Sequence, residues 1–203
     1  MNILLVHGLG RTPCSLFGLA SALRRDGHRT CFFGYSPTYE SLPGIVNRLA
    51  NRLRTLSRRG EPVGLAGHSL GGLLLREALV EVPELPVRNL VMMGTPNRPP
   101  QIAKFMWRFA PFRWFTRECG RFLASPDAIL VLPPPAVPVT LIAGTAGPYR
   151  LFAEPNDSIV AVGETRIADS DSPVLVPAFH SFIMDHPAVR AAVRAAMMTP
   201  RIP

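Results

Sequence analysis

Val63-Gly64-Leu65-Ala66-Gly67-His68-Ser69-Leu70-Gly71-Gly72 runs from an uninterrupted apolar segment through G-x-S-x-G into the start of an apolar helix. A short apolar run without alternation is how a strand buried on both faces of a parallel sheet reads. The glycine-flanked serine predicts a sharp strand-to-helix turn that holds Ser69 in a strained backbone conformation at the strand's C-terminal end. Gly67 and Gly71 leave room there, because a Cβ at either position would collide across the turn. The hydroxyl then stands at a helix N-terminus, where backbone N–H groups point at incoming negative charge. G-x-S-x-G alone is a common pattern, and an ordinary turn with an N-cap serine is the competing reading. The strand before it and the apolar helix after it favour the first.

Outward from this turn the chain alternates strand and helix. Strands are predicted over 3–6, 30–35, 62–67, 88–93, 138–144 and 174–177. Helices are predicted over 15–26, from a Ser41 cap to Gly60, over 70–82 and over 187–198. In the second of these, Ile45, Val46, Leu49, Leu53 and Leu56 share one face, and Arg48, Arg52, Arg54 and Arg58 take the other. Alternation of this kind implies βαβ units and a parallel sheet covered on both faces. Nothing resembles a repeat or a linker, so the 203 residues read as one domain.

The apolar fraction is 47% and the charged fraction 18%, which allows a full core and argues against disorder. No uncharged apolar run reaches the ~18 residues of a membrane span. Met1 leads almost at once into Ile3-Leu4-Leu5-Val6, without a basic leader, so the expectation is a cytoplasmic protein. Cys14, Cys31 and Cys119 are odd in number and scattered. They read as reduced thiols, mostly buried, rather than as a disulfide framework or a zinc site. The formal charge is +8, with Lys104 the single lysine among 22 basic residues. An arginine skew beside many Ala and Pro fits a GC-rich coding sequence. The cations are dispersed and no nucleic-acid motif accompanies them, so no nucleic acid is expected.

Residues 97–125 break the rhythm as an insertion between the fourth and fifth strands. The segment holds Phe105, Trp107, Phe109, Phe112, Trp114, Phe115 and Phe122, with six cations against Glu118. One reading is a helical cap packed over the sheet edge. The other is a lid that lines a substrate pocket through Phe105, Trp107, Phe109, Phe112 and Trp114 and meets anionic lipid with its Arg and Lys.

Four pieces taken together resemble a small bacterial serine esterase or lipase of the α/β-hydrolase superfamily. They are Val6-His7-Gly8-Leu9-Gly10 after the first strand, the Gly67–Gly72 turn, Asn156-Asp157-Ser158-Ile159-Val160, and Ala178-Phe179-His180-Ser181-Phe182. The resemblance spans residues 6–182 and carries the chain order Ser, acid, His. It implies a minimal version of that fold, with about six mostly parallel strands, helices on both faces and a small cap. It also implies cleavage of carboxylic esters with apolar acyl groups, with neither metal nor organic cofactor. A thioesterase, amidase or acyltransferase would use the same residues, and a non-catalytic lipid-binding module is the reading from another class.

Ser69 would be the nucleophile, His180 its general base, and Asp157 the group that orients the imidazole. The backbone N–H groups of Leu9 and Leu70 would form the oxyanion hole. His186 is the rival base, and Asp127, Asp169 and Asp171 are rival acids. His7 and His68 read as structural, and Arg11 lies where it would meet an acidic group on a substrate or simply face solvent.

Overall fold

Six strands form one sheet: β1 (Asn2–Val6), β2 (Arg29–Phe33), β3 (Val63–His68), β4 (Val87–Met93), β5 (Val139–Gly144) and β6 (Val174–Val176). The structure is a computed structural model and describes residues 1–57 and 60–198. The strand order is β2-β1-β3-β4-β5-β6, and every pairing is parallel. Each parallel step needs a crossover. These are built from α1 (Phe17–Arg25), α2 (Leu42–Ser57), α3 (Leu70–Val80), α4 (Gln101–Met106), α5 (Ala110–Ala124), α6 (Pro126–Leu130) and α7 (Val162–Thr165); α8 (Pro187–Met198) follows β6.

Side chains alternate across a strand, so each strand feeds two cores. Ile3, Leu5, Ala66 and Val91 pack with α1 and α8 through Leu19, Leu23, Val189 and Val193. Leu4, Val6, Leu65 and Leu90 pack on the other face with α2 and α3 through Ile45, Leu49, Leu53 and Leu74. The α2 residues follow the i, i+4 spacing seen in the sequence, and Ile45, Leu49 and Leu53 are fully buried. Each such side chain contributes about 2 kcal/mol. Ser41 accepts the Gly44 amide at 3.2 Å and so caps α2. Arg58, assigned to the polar face of this helix, lies outside the described residues.

The order of strands reverses at β1. The chain leaves β1 toward β2 on one side and returns to β3 on the other. The loops after β1 and β3 therefore diverge and leave a crevice at the carboxyl ends of the strands. Ser69 ends β3 at that crevice, and His7–Leu9 end β1 there.

The predicted elements all form, the last helix with the expected bounds and the others with shifted ends. β2 stops at Phe33 instead of Tyr35, because the Tyr35 amide donates to His7 Nε2 at 3.3 Å and leaves the strand ladder. The helix expected from Ser15 begins as a 3-10 turn over Pro13–Leu16, and α1 proper starts at Phe17. The thiols are less uniform than expected: Cys119 is buried, Cys31 half-buried and Cys14 exposed.

The insertion is helical. Cys119, Phe122 and Leu123 of α5 join the core over α2 and α3. Arg117 breaks α5 with φ 44° and ψ −125°. Around this break the cap is tied to the loop before α2. Thr38 Oγ1 donates to Phe115 O at 2.7 Å, Arg117 Nη1 donates to Thr38 O at 3.2 Å, and the Leu42 amide donates to Glu118 at 2.7 Å.

Candidate active site

Ser69 has φ 51° and ψ −124°, a conformation an L-residue adopts only when its surroundings impose it. The surroundings are visible. The Ser69 amide donates to Met93 O at 2.9 Å, which pins the turn to the end of β4. A Cβ on Gly67 would lie on the backbone of Gly71 and Gly72, and a Cβ on Gly71 would lie on the carbonyls of Val6 and His7. Both glycines expected to be obligatory in the sequence are thus held by backbone, which has no flexible end to move aside. Leu70 opens α3, so its amide has no intrahelical acceptor.

Asp157 is 1% exposed. Its Oδ1 accepts the amides of Ile159 at 3.0 Å and Val160 at 2.7 Å, and its Oδ2 accepts His180 Nδ1 at 2.7 Å. The His180 amide also donates to Asp157 O at 2.8 Å. His180 is therefore held by one residue at two points, its ring and its backbone. With the proton on Nδ1, the lone pair is on Nε2. His180 and Ser69 line the same cavity. Among the described residues no hydrogen bond joins them, and contacts of this kind commonly tighten only when substrate is bound.

Two other histidines shape the site without sharing this arrangement. His7 donates from Nδ1 to Gly8 O at 2.9 Å, stacks on Tyr35 with ring centroids 4.3 Å apart, and receives its amide. This fixes the path of the loop that carries Leu9. His68 Nε2 donates to the His180 carbonyl at 3.1 Å. Its Nδ1 is buried without a partner. Burial, more than the neighbouring His180, holds the His68 imidazole well below the usual histidine value, so it stays neutral beside the site. His186 accepts the Ala188 amide at the start of α8 and is not part of the cavity wall. Asp169 pairs with Arg98, and Asp171 accepts the amides of Ile167 and Ala168. Asp127 lies in the first turn of α6.

The cavity measures about 330 Å³. Leu9 lies in its wall beside Ser69. The cap side is formed by Ile102, Ala103, Met106, Phe112 and Leu123. Five aromatic residues were expected to line this space, and only Phe112 does so. Phe105, Phe109 and Trp114 are exposed on the outer face of the cap. Trp107 and Trp114 border a separate surface hollow with Tyr39, Arg113 and Arg117. Ile102, Ala103, Met106 and Leu123 take their place. Sequence spacing alone cannot register which face of the cap turns to the cavity.

Three further contributors carried no sequence signal. Gly94, with φ 55°, leaves the space that the Asp157–His180 pair fills: a Cβ there would lie 3.0 Å from Asp157 Oδ2 and 3.2 Å from His180 Nδ1. Glu164 accepts the Gln101 amide at 2.9 Å and the Ala161 amide at 3.0 Å. It thereby ties the start of α4 to the turn that holds Asp157. Burial pushes its carboxyl pKa up. Arg76 is buried and donates to the carbonyls of Leu132 and Pro133 and to Asn97, which fastens both ends of the cap to α3. The bond between Arg76 and Asn97 joins residues 21 positions apart, and that between Gln101 and Glu164 residues 63 apart. Among the described residues no group of three or more His, Cys, Asp or Glu is placed to hold a metal ion, and no helix is long and apolar enough to cross a membrane.

Similar arrangements of strands and helices occur in solved structures. The Bacillus licheniformis lipase BlEst2 in propeptide form matches with a TM-score of 0.79 at 18% identity, over 95% of this chain and 50% of that one. The chain thus spans half the length of that protein. One of the metagenome-derived lipolytic enzymes LipS and LipT matches with a TM-score of 0.70 at 12% identity, over 98% of this chain and 94% of that one. The RedJ thioesterase of Streptomyces coelicolor matches with 0.64 at 15% identity, over 95% and 82%. No curated protein matches the sequence significantly. At these identities the likeness is one of fold. The family is carried by the sequence itself, which matches the alpha/beta hydrolase family over residues 3–201, and with the six-stranded parallel sheet and the strained Ser69 turn this places the chain in that family.

Proposed function

We propose that this hydrolase cleaves esters of apolar carboxylic acids through an acyl-enzyme on Ser69. The observation that carries the reading is the 2.7 Å bond from His180 Nδ1 to buried Asp157, with His180 and Ser69 facing one apolar cavity. Ser69 Oγ attacks the acyl carbon while His180 Nε2 takes its proton. The carbonyl oxygen becomes an anion received by the amides of Leu9 and Leu70. Collapse breaks the C–O bond, and His180 returns the proton to the departing alkoxide. Water then repeats the sequence on the acyl-enzyme, with His180 again as base, and releases the acid and free Ser69. No step calls for a metal or an organic cofactor.

The acyl chain lies along Ile102, Ala103, Met106 and Phe112, whose surface is apolar. The outer cap face, with Phe105, Phe109, Trp114 and Phe115 exposed among Arg and Lys, is the surface presented to anionic lipid when the ester resides there. A thioester or amide would use the same residues, and matched oxygen and sulfur esters of one acid separate these cases.

Labelling by a fluorophosphonate tests the reading. The expected result is one label per chain, on Ser69, with turnover of 4-nitrophenyl esters lost in proportion. Label elsewhere, or full turnover after labelling, refutes it. A second expectation concerns the acyl wall. Met106→Ala and Phe112→Ala should move the preferred acyl length toward longer chains and change kcat/KM for the original optimum by about tenfold. A length profile unchanged in both variants removes the cap from the substrate site.

A further inference from the structure

Arg11 is the single Lys, Arg, Asp or Glu in the cavity wall. It is half-buried, and among the described residues it makes no ion pair. Its position is set by the loop after β1, where the Arg11 amide closes a turn on Gly8 O at 3.2 Å and Gly10 takes φ 66°. The guanidinium stands over the Phe182 ring, 5.8 Å from its centroid. A half-exposed guanidinium in the wall of an apolar cavity, with no acid beside it, keeps its donors available to an anion.

Its side of the cavity identifies what completes the pair. His180 returns a proton to the leaving oxygen, so the alcohol half of the ester lies beside His180. Phe182, the residue under Arg11, is two positions beyond His180. The cap residues that receive the acyl chain lie on α4 and α5. Arg11 thus faces the alcohol half.

We propose that Arg11 is a specificity-determining residue that selects esters whose alcohol half carries an anionic group, a carboxylate or a phosphate. The inference rests on the ester-hydrolase reading and names the substrate class for that site. A planar guanidinium fits two oxygens of either anion side by side, while its face stays on Phe182.

The test compares matched substrates. 3-Hexanoyloxy-4-nitrobenzoate is anionic and 2-nitrophenyl hexanoate is its neutral partner. 1-Hexanoylglycerol 3-phosphate against 1-hexanoylglycerol, read by release of hexanoate, separates phosphate from carboxylate. The wild-type protein should favour the anionic member of at least one pair. Arg11→Gln should lower the anionic-to-neutral ratio of kcat/KM by about tenfold or more, through KM of the anionic member, and Arg11→Lys should restore part of it. Because the ratio is taken within one protein, partial misfolding does not imitate the effect. A ratio unaltered in Arg11→Gln, or hydrolysis of both members of both pairs without preference, overturns the role of Arg11 alone. Failure to hydrolyse any of the four above the Ser69→Ala level overturns the hydrolase reading, and this assignment with it.

Discussion

Ser69→Ala is expected to lower kcat toward a chromogenic ester by about 10⁴–10⁶-fold, because the substitution removes the oxygen that, in the proposed mechanism, forms the acyl bond. The fold should survive. Ser69 Oγ makes no hydrogen bond among the described residues, and the turn is pinned by the Ser69 amide on Met93 O, which alanine keeps. The positive φ at this position is strained for serine and alanine alike, so the melting temperature should change by only a few degrees. Residual turnover should reflect the amides of Leu9 and Leu70 and the apolar cavity. Turnover of Ser69→Ala within a few-fold of the parent, in a protein free of contaminating esterase, would dismiss Ser69 as nucleophile.

Asp157→Asn should cost about 10⁴-fold in kcat while preserving the turn around it. The amides of Ile159 and Val160 call for an acceptor at the Oδ1 position, and the asparagine carbonyl serves there. The NH₂ then occupies the place of Oδ2 and donates toward His180 Nδ1. The imidazole proton moves to Nε2, and the lone pair that receives the Ser69 proton is lost. The His180 amide stays on Asp157 O, so the ring remains beside this residue. His186→Ala serves as the contrast, since His186 caps α8 and stands outside the cavity wall. Pre-steady-state kinetics check the prediction: Asp157→Asn should lose the acylation burst, and His186→Ala should keep it. An intact burst in Asp157→Asn would transfer the orienting role to another acid.

The two cores of the sheet were legible from local rules. The apolar runs 3–6 and 63–67 are continuous because both faces of those strands are covered, and Ile45, Leu49 and Leu53 declare one helical face by spacing alone. Ser69 was legible for a steric reason: the turn admits only glycine on either side, so the constraint is written into neighbouring letters. The acid was harder, because Asp127, Asp169 and Asp171 are equally carboxylates. The structure separates them by burial and partners. Asp157 is enclosed against His180, while Asp169 is spent on Arg98 and Asp171 on two amides.

The sequence by itself determined the alternation of strands and helices and the obligatory glycines, because each follows from contacts within a few residues, while the order of serine, acid and histidine rested on the resemblance of four short motifs to one family. Tertiary structure alone decided which aromatic residues of the cap face the cavity, how Glu164 and Arg76 fasten that cap, and which carboxylate meets His180. Those outcomes depend on how the cap helices pack and on hydrogen bonds across tens of residues. Chain spacing carries no record of either, since a helix face is chosen by what it packs against.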